Sequence, residues 1–169
     1  APSTNFLQSD LSELDLLGAD LTKCNFIDVI ATGVNFTGAT LLSAVFVGVK
    51  ATGTVFRDAN LENLRVVKES VFEDADFRGA KLDTASLRGT RLAGSDFTGA
   101  ALDGADFTES DLRDAKIGGV SAKEARFVKA DLENADLSAS NLMGALLQRA
   151  NLRGADLRGA NLFRADLLR

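Results

Sequence analysis

Residues Ser95 to Leu112 read SDFTGAALDGADFTESDL. A large apolar residue returns every fifth position, at Phe97, Leu102, Phe107 and Leu112. Two places before each stands a small one: Ser95, Ala100, Ala105 and Ser110. This is neither the 3.6-residue period of a helix nor the two-residue alternation of an ordinary strand. Residues two apart point the same way in extended chain. The large residue and its small predecessor therefore both face inward, and the remaining three positions turn a corner towards water.

The same phase governs the whole chain. Upstream centres run Phe6, Leu11, Leu16, Leu21, Phe26, Ala31, Phe36, Leu41, Phe46, Ala51, Phe56, Leu61 and Val66. The register then slips by one residue within Val66–Ser70, and centres resume at Phe72 and continue to Leu167. Starting at Val71 instead would place Glu69 at the small inward position, so Phe72 with Ser70 is the consistent choice. If four sides close one coil, the chain passes above itself every twenty residues, about 4.8 Å higher. Sorting the centres by side places nine of the ten central Phe on two opposite walls, with Phe72 outside them. That sorting survives the inserted residue, which marks a local bulge and not a domain boundary. Fourteen of the fifteen Gly stand two places after a centre, the turn position where type II geometry needs positive φ. Type II turns are expected on the Phe97 side, and type I or less regular turns where Gly is scarce.

Composition bounds the chemistry. The chain has 169 residues, no His, Trp or Tyr, one Cys and a net charge of −5. Residues 1–66 carry −3, residues 67–137 carry −5 and residues 138–169 carry +3. There is no basic stripe of the kind direct nucleic-acid binding demands, and no apolar run approaches the ~20 residues that span a bilayer. With no His, with Cys24 at an inward position and with no Ser beside a visible base, the residues indicate no catalytic site, no metal site and no cofactor. Most of the Asp residues fall one before a centre, a repeat position that suits carboxylates bonded within turns or solvated. The chain opens Ala1-Pro2-Ser3 without a signal-like segment, as a processed or excised N-terminus would. The compartment stays open, with the cytoplasm favoured.

The units Ala155–Gly159 (ADLRG), Ala150–Gly154 (ANLRG) and Ala105–Glu109 (ADFTE) resemble the A(D/N)LXX repeat of the pentapeptide repeat family. The resemblance covers residues 4–169. It implies an all-β fold: a right-handed, quadrilateral, parallel β-helix of about eight coils, here a single solenoid domain across residues 1–169 without an evident capping helix. It also implies two functions. The first is a non-catalytic structural or protein-interaction solenoid, a rigid surface or spacer, of the kind that also serves as a module of larger bacterial-type proteins. The second is mimicry of DNA towards gyrase or another topoisomerase, with drug protection. Members of that second kind typically dimerise through a C-terminal element and carry projecting loops, neither of which is visible in these residues.

Three departures from the bare repeat are candidate sites. Leu7, Ile27, Val47 and Val67 each follow a centre on one side and should form an outward apolar column. Contiguous exposed apolar area marks contact with another chain, and a surface ladder of sheet-forming side chains is the plain alternative. Glu62, Asp83 and Asp103 form an outward acidic column followed by Lys123, for which a solvated face flanked by Arg and Lys is the plain reading, with imitation of phosphates or a hold on a cation as the alternatives. Near the C-terminal end Met143, Phe163 and Leu168 are outward, and open coil edges there suit an end-to-end homodimer. The expected partner is a protein.

Overall fold

The computed structural model describes residues 4–168. The Ala1–Ser3 start lies outside them. Four three-residue strands, β1 (Asn5–Leu7), β2 (Asn25–Ile27), β3 (Val45–Val47) and β4 (Arg65–Val67), form one parallel sheet in that order. Everywhere else the pairing is carried by single parallel bridges between turns, such as Asp15↔Asn35 and Asn35↔Val55. The twenty-residue offset makes each pair one side of a coil lying on the next. No helix occurs among the described residues.

The ladder bonds follow from the five-residue unit. On each side the N–H of an inward centre donates up to the next coil, as Leu16 does to the Asn35 carbonyl at 2.8 Å. The N–H of the preceding residue donates down, as Asn35 does to the Leu14 carbonyl at 3.1 Å. Buried amides are thereby satisfied between coils, leaving the interior free for side chains. On two walls the Phe rings stack coil on coil: Phe36–Phe56, Phe56–Phe77 and Phe77–Phe97 at 5.1, 5.0 and 4.8 Å, and Phe107–Phe127 at 5.3 Å. Across the tube the walls meet edge to face, as between Phe97 and Phe107 at 5.8 Å. Phe72 lies above the small centres Ala31 and Ala51 on its side and packs 5.7 Å from Phe46 and 6.0 Å from Phe56.

The slip is a one-residue insertion. Val45 pairs with Arg65, twenty residues on, but Lys50 pairs with Val71 and Val55 with Asp76, twenty-one on. Lys68 and Glu69 carry the extra residue outward at φ of 56° and 24°, and pairing resumes with Phe72 inside. Ser70 is the inward small residue, as the choice of register requires. Its buried hydroxyl accepts from the Val49 N–H at 3.1 Å and stands 3.1 Å from the Val67 carbonyl and 3.2 Å from that of Lys68.

The expected division of turn types does not hold. Positive φ occurs two after the centre on all four sides, at Glu13 (62°), Lys23 (58°) and Arg149 (60°) as well as at the glycines. The Leu21 side is poor in Gly, yet its turns close normally, as in Cys24 N–H to Leu21 O at 3.0 Å. Closing a corner in four residues dictates the conformation, and non-glycine residues accept it at modest cost. Apart from the corner after Ile117, which also lacks its closing bond, the exceptions lie on the first side. Among the described residues the corners after Phe6, Phe26 and Phe46 lack the closing bond, while those after Leu87 and Phe107 have it, at 3.2 and 3.1 Å. The first four coils therefore present extended strand on that side, and the bulge is where it becomes a turn.

Candidate functional site

The strand-like side carries the apolar column. In the parallel register Leu7, Ile27, Val47 and Val67 lie directly over one another, one per coil. Their neighbours on the inner face are the Phe6–Phe26–Phe46–Val66 column, and the alternation of the strand turns the four side chains outward. Leu7 is 57% and Val67 39% exposed, while Ile27 and Val47 are half-buried between them. The second outward column of the sheet is Asn5, Asn25, Val45 and Arg65. Asn25 Nδ2 donates to Asn5 Oδ1 at 2.7 Å, so these amides serve each other instead of capping a turn. Beyond the bulge the apolar column gives way to Arg88 and Thr108. The result is a flat, four-strand apolar face spanning about 14 Å.

The acidic column has a different character. The Asp83 carboxylate accepts the Asp103 backbone N–H of the next coil at 3.1 Å. Asp103 Oδ1 accepts the Ser121 hydroxyl at 2.6 Å and the Lys123 N–H at 2.9 Å, and Lys123 Nζ stands 3.4 Å from Oδ2. Burial works against ionisation of Asp103, but the Ser121 and Lys123 hydrogen bonds and the Lys123 charge outweigh it and hold the carboxyl below its ordinary range. These two carboxylates cap backbone between coils. No group of three acidic, His or Cys residues among those described is arranged to hold a metal ion.

Most other Asp and Asn residues do similar work within a coil. At the position before the centre they accept the N–H two residues on, as in Asp96 with Thr98 at 2.9 Å, Asp106 with Thr108 at 2.9 Å and Asp136 with Ser138 at 2.9 Å. Those N–H groups point out of the turn and have no ladder partner, which is why the repeat favours Asp or Asn there. Several also pair with Arg. Asp76 accepts Arg78 Nη2 at 2.7 Å and Arg57 Nη2 at 2.9 Å. The Arg78 hydrogen bond, helped by Arg57 and against partial burial, holds its carboxyl well below the usual carboxylate range.

The C-terminal candidates divide between two sides. Met143 and Phe163 continue the column of Glu62, Asp83, Asp103 and Lys123, while Leu168 lies on the first side above Gln148. Phe163 is 61% exposed with the Arg164 guanidinium 5.1 Å over its ring, and Leu168 is exposed. The structure does not bring these residues together with the Leu7–Val67 column. A cleft of about 680 Å³ at the last described coil, between Leu147, Leu152, Leu167 and Arg149, has inward leucines for its floor and no convergent polar chemistry. No helix is long and apolar enough to cross a membrane among the described residues.

The coil geometry and its corner chemistry meet a family match. The pentapeptide repeats family is found in eight copies over residues 2–28, 32–63, 70–108, 105–142 and 140–169. The chain is a pentapeptide repeat protein. The larger gap between matched segments, residues 64–69, coincides with the bulge. Among solved pentapeptide repeat structures, a trypsin-treated variant of QnrB1, described as a plasmid-mediated fluoroquinolone resistance protein, aligns with a TM-score of 0.64 at 20% identity. That alignment covers 94% of this chain and 89% of QnrB1. HetL from the cyanobacterium Nostoc sp., described as involved in heterocyst differentiation regulation, aligns at 26% identity with a TM-score of 0.44, covering 96% of this chain and 86% of HetL. The QnrB1 likeness establishes the shared fold. No curated protein sequence matches the chain significantly. Proteins of this family are generally non-catalytic.

The acidic column was visible in the sequence, but its bonding was not, because Asp103 reaches residues eighteen and twenty positions on. A signal for the strand-like side was present and goes beyond the apolar column. Val29 and Val49 occupy inward positions that are mostly small elsewhere, and β-branched residues favour extended chain over a tight turn.

Proposed function

We propose that this pentapeptide repeat protein is a non-catalytic, right-handed, four-sided solenoid of about eight coils that works as a rigid protein-binding surface, with the Leu7–Ile27–Val47–Val67 face as the contact. The observation that carries this reading is the coincidence of the apolar column with the only continuous β-sheet among the described residues. A flat sheet presents its side chains at fixed spacing, and ordering a rigid surface on binding costs little conformational entropy. A DNA-mimicking, topoisomerase-directed role has less support. Mimicry needs unengaged carboxylates, whereas Asp76, Asp103, Asp106 and Asp111 are tied to backbone N–H groups and to Arg or Lys.

The test is a quantitative pull-down from the native source with the wild type, the Ile27→Lys/Val47→Lys variant and a Thr32→Lys/Thr52→Lys control on the adjoining side. Loss of a specific captured protein in the first variant alone supports the reading. Identical captured sets for all three remove it.

A further inference from the structure

Resting on that reading, we infer that the occupant of the apolar face is a second copy of this chain, docked side to side with its solenoid running in the opposite direction. The column is graded in size: Leu7, Ile27, Val47, Val67. A two-fold axis lying in the contact plane, across the solenoids, sets Leu7 against Val67 of the other copy and Ile27 against Val47. Every facing pair is then one longer and one shorter side chain, and the gap between walls is even along its length. A parallel arrangement would match Leu7 with Leu7 and Val67 with Val67, leaving the gap wide at one end and tight at the other.

Charge makes the same choice. Arg65 and Lys68 flank Val67 on its two sides, and Arg88 follows it one coil later. In the parallel arrangement Arg65 lies beside Lys68 of the other copy and Arg88 meets Arg88, and like charges brought together oppose association. In the antiparallel arrangement Arg65 lies over Asn5, Lys68 over Gln8 and Asp28 over Gly48, with no like charges facing. The uncharged ends of the column, Asn5 and Gln8, are what make the face compatible with its own reversed copy.

Lateral strand addition is not available as an alternative mode. The backbone N–H and C=O groups of β2, β3 and β4 are consumed by the coils above and below, so away from the edge of β1 the face offers side chains alone. The overlap of four coils is roughly 20 Å by 10 Å, well under the ~800 Å² per partner of stable complexes. A weak dimer is therefore expected, with a dissociation constant of about 0.01–1 mM.

Sedimentation velocity up to about 1 mM protein tests this. The wild type should show a weight-average sedimentation coefficient rising with concentration. The Ile27→Lys/Val47→Lys variant should stay monomeric with an unchanged circular dichroism spectrum. Register is read by crosslinking with a short bismaleimide: a mixture of Leu7→Cys and Val67→Cys proteins should give a covalent dimer, and Leu7→Cys alone should not. A wild type that is monomeric throughout, a dimer indifferent to the double Lys variant, or self-crosslinking of Leu7→Cys would each overturn the inference. A monomeric wild type whose double Lys variant still loses a captured protein would overturn the second copy alone and leave the protein-binding reading standing.

Discussion

Substituting Gly79 and Gly99 by Ala separates two costs that share one column of corners. Both glycines sit two after a centre on the Phe97 side, at φ of 68° and 73°. An alanine at either must adopt the left-handed region, which costs roughly 1–2 kcal/mol for a residue with a Cβ. At Gly99 the new methyl meets only the Gly79 nitrogen at 3.9 Å, an ordinary contact. At Gly79 it meets Asp58 Oδ1 of the coil below at less than any tolerable separation, and Asp58 Cγ at 3.4 Å. The Asp58 carboxylate must swing aside, and an off-rotamer side chain costs about 0.5–1.5 kcal/mol. Gly79→Ala should therefore be less stable than Gly99→Ala by that amount. In melting temperature this is about 1–6 °C for a chain of this length. Urea denaturation followed by circular dichroism measures both variants. The difference should vanish when Gly79→Ala is made in an Asp58→Ala background, because the obstruction is then gone. Equal destabilisation of the two variants, or a difference that survives removal of Asp58, would refute the idea that glycine placement answers to the coil below as well as to φ.

Three further outcomes follow from other parts of the solenoid. Phe97 is fully buried between Phe77 and Phe107, so Phe97→Ala should cost about 3–5 kcal/mol and lower the urea midpoint strongly. Ala100→Glu places a carboxylate inside the tube with no partner; it should open the local coil and raise protease sensitivity, and an unchanged proteolysis pattern would count against the inward assignment. Asp156 is held at about 2 by Arg158, and Asp76 is depressed further by Arg78. Folded-state values below the ordinary 3.8 contribute stability that is fully present at neutral pH and is lost as pH falls from about 4 through 2. The urea midpoint should fall over that range, and Asp76→Asn should flatten part of the fall.

The period, the phase, the slip and the sorting of Phe onto two walls were legible because each depends on which residues face inward, and inwardness is written directly into a five-residue repeat. The slip could be placed because Glu69 and Ser70 compete for one buried position and a carboxylate loses that contest. Turn type was not legible from glycine. The corner conformation is imposed by closure, so Glu13 and Arg149 adopt it without a glycine, while Gly79, Gly94 and Gly154 also stand where a Cβ would collide with an Asp or Asn one coil below. The acidic column of Asp83 and Asp103 was visible as a column but not as a set of caps, since its partners lie in the next coil. The apolar column was legible as four outward residues. That its side forms continuous strand depends on corner bonds that are missing there, and the sequence signal for this is not the column itself but the β-branched Val29 and Val49 at inward positions.

The most direct test of the apolar face as an association surface is methyl-resolved NMR of the full chain over a concentration series up to about 1 mM. The methyl resonances of Leu7, Ile27, Val47 and Val67 should shift together with one saturation curve, while Val128, Met143 and the buried Leu102 hold still. Shifts confined to other residues, or no concentration dependence in those four, would contradict the claim.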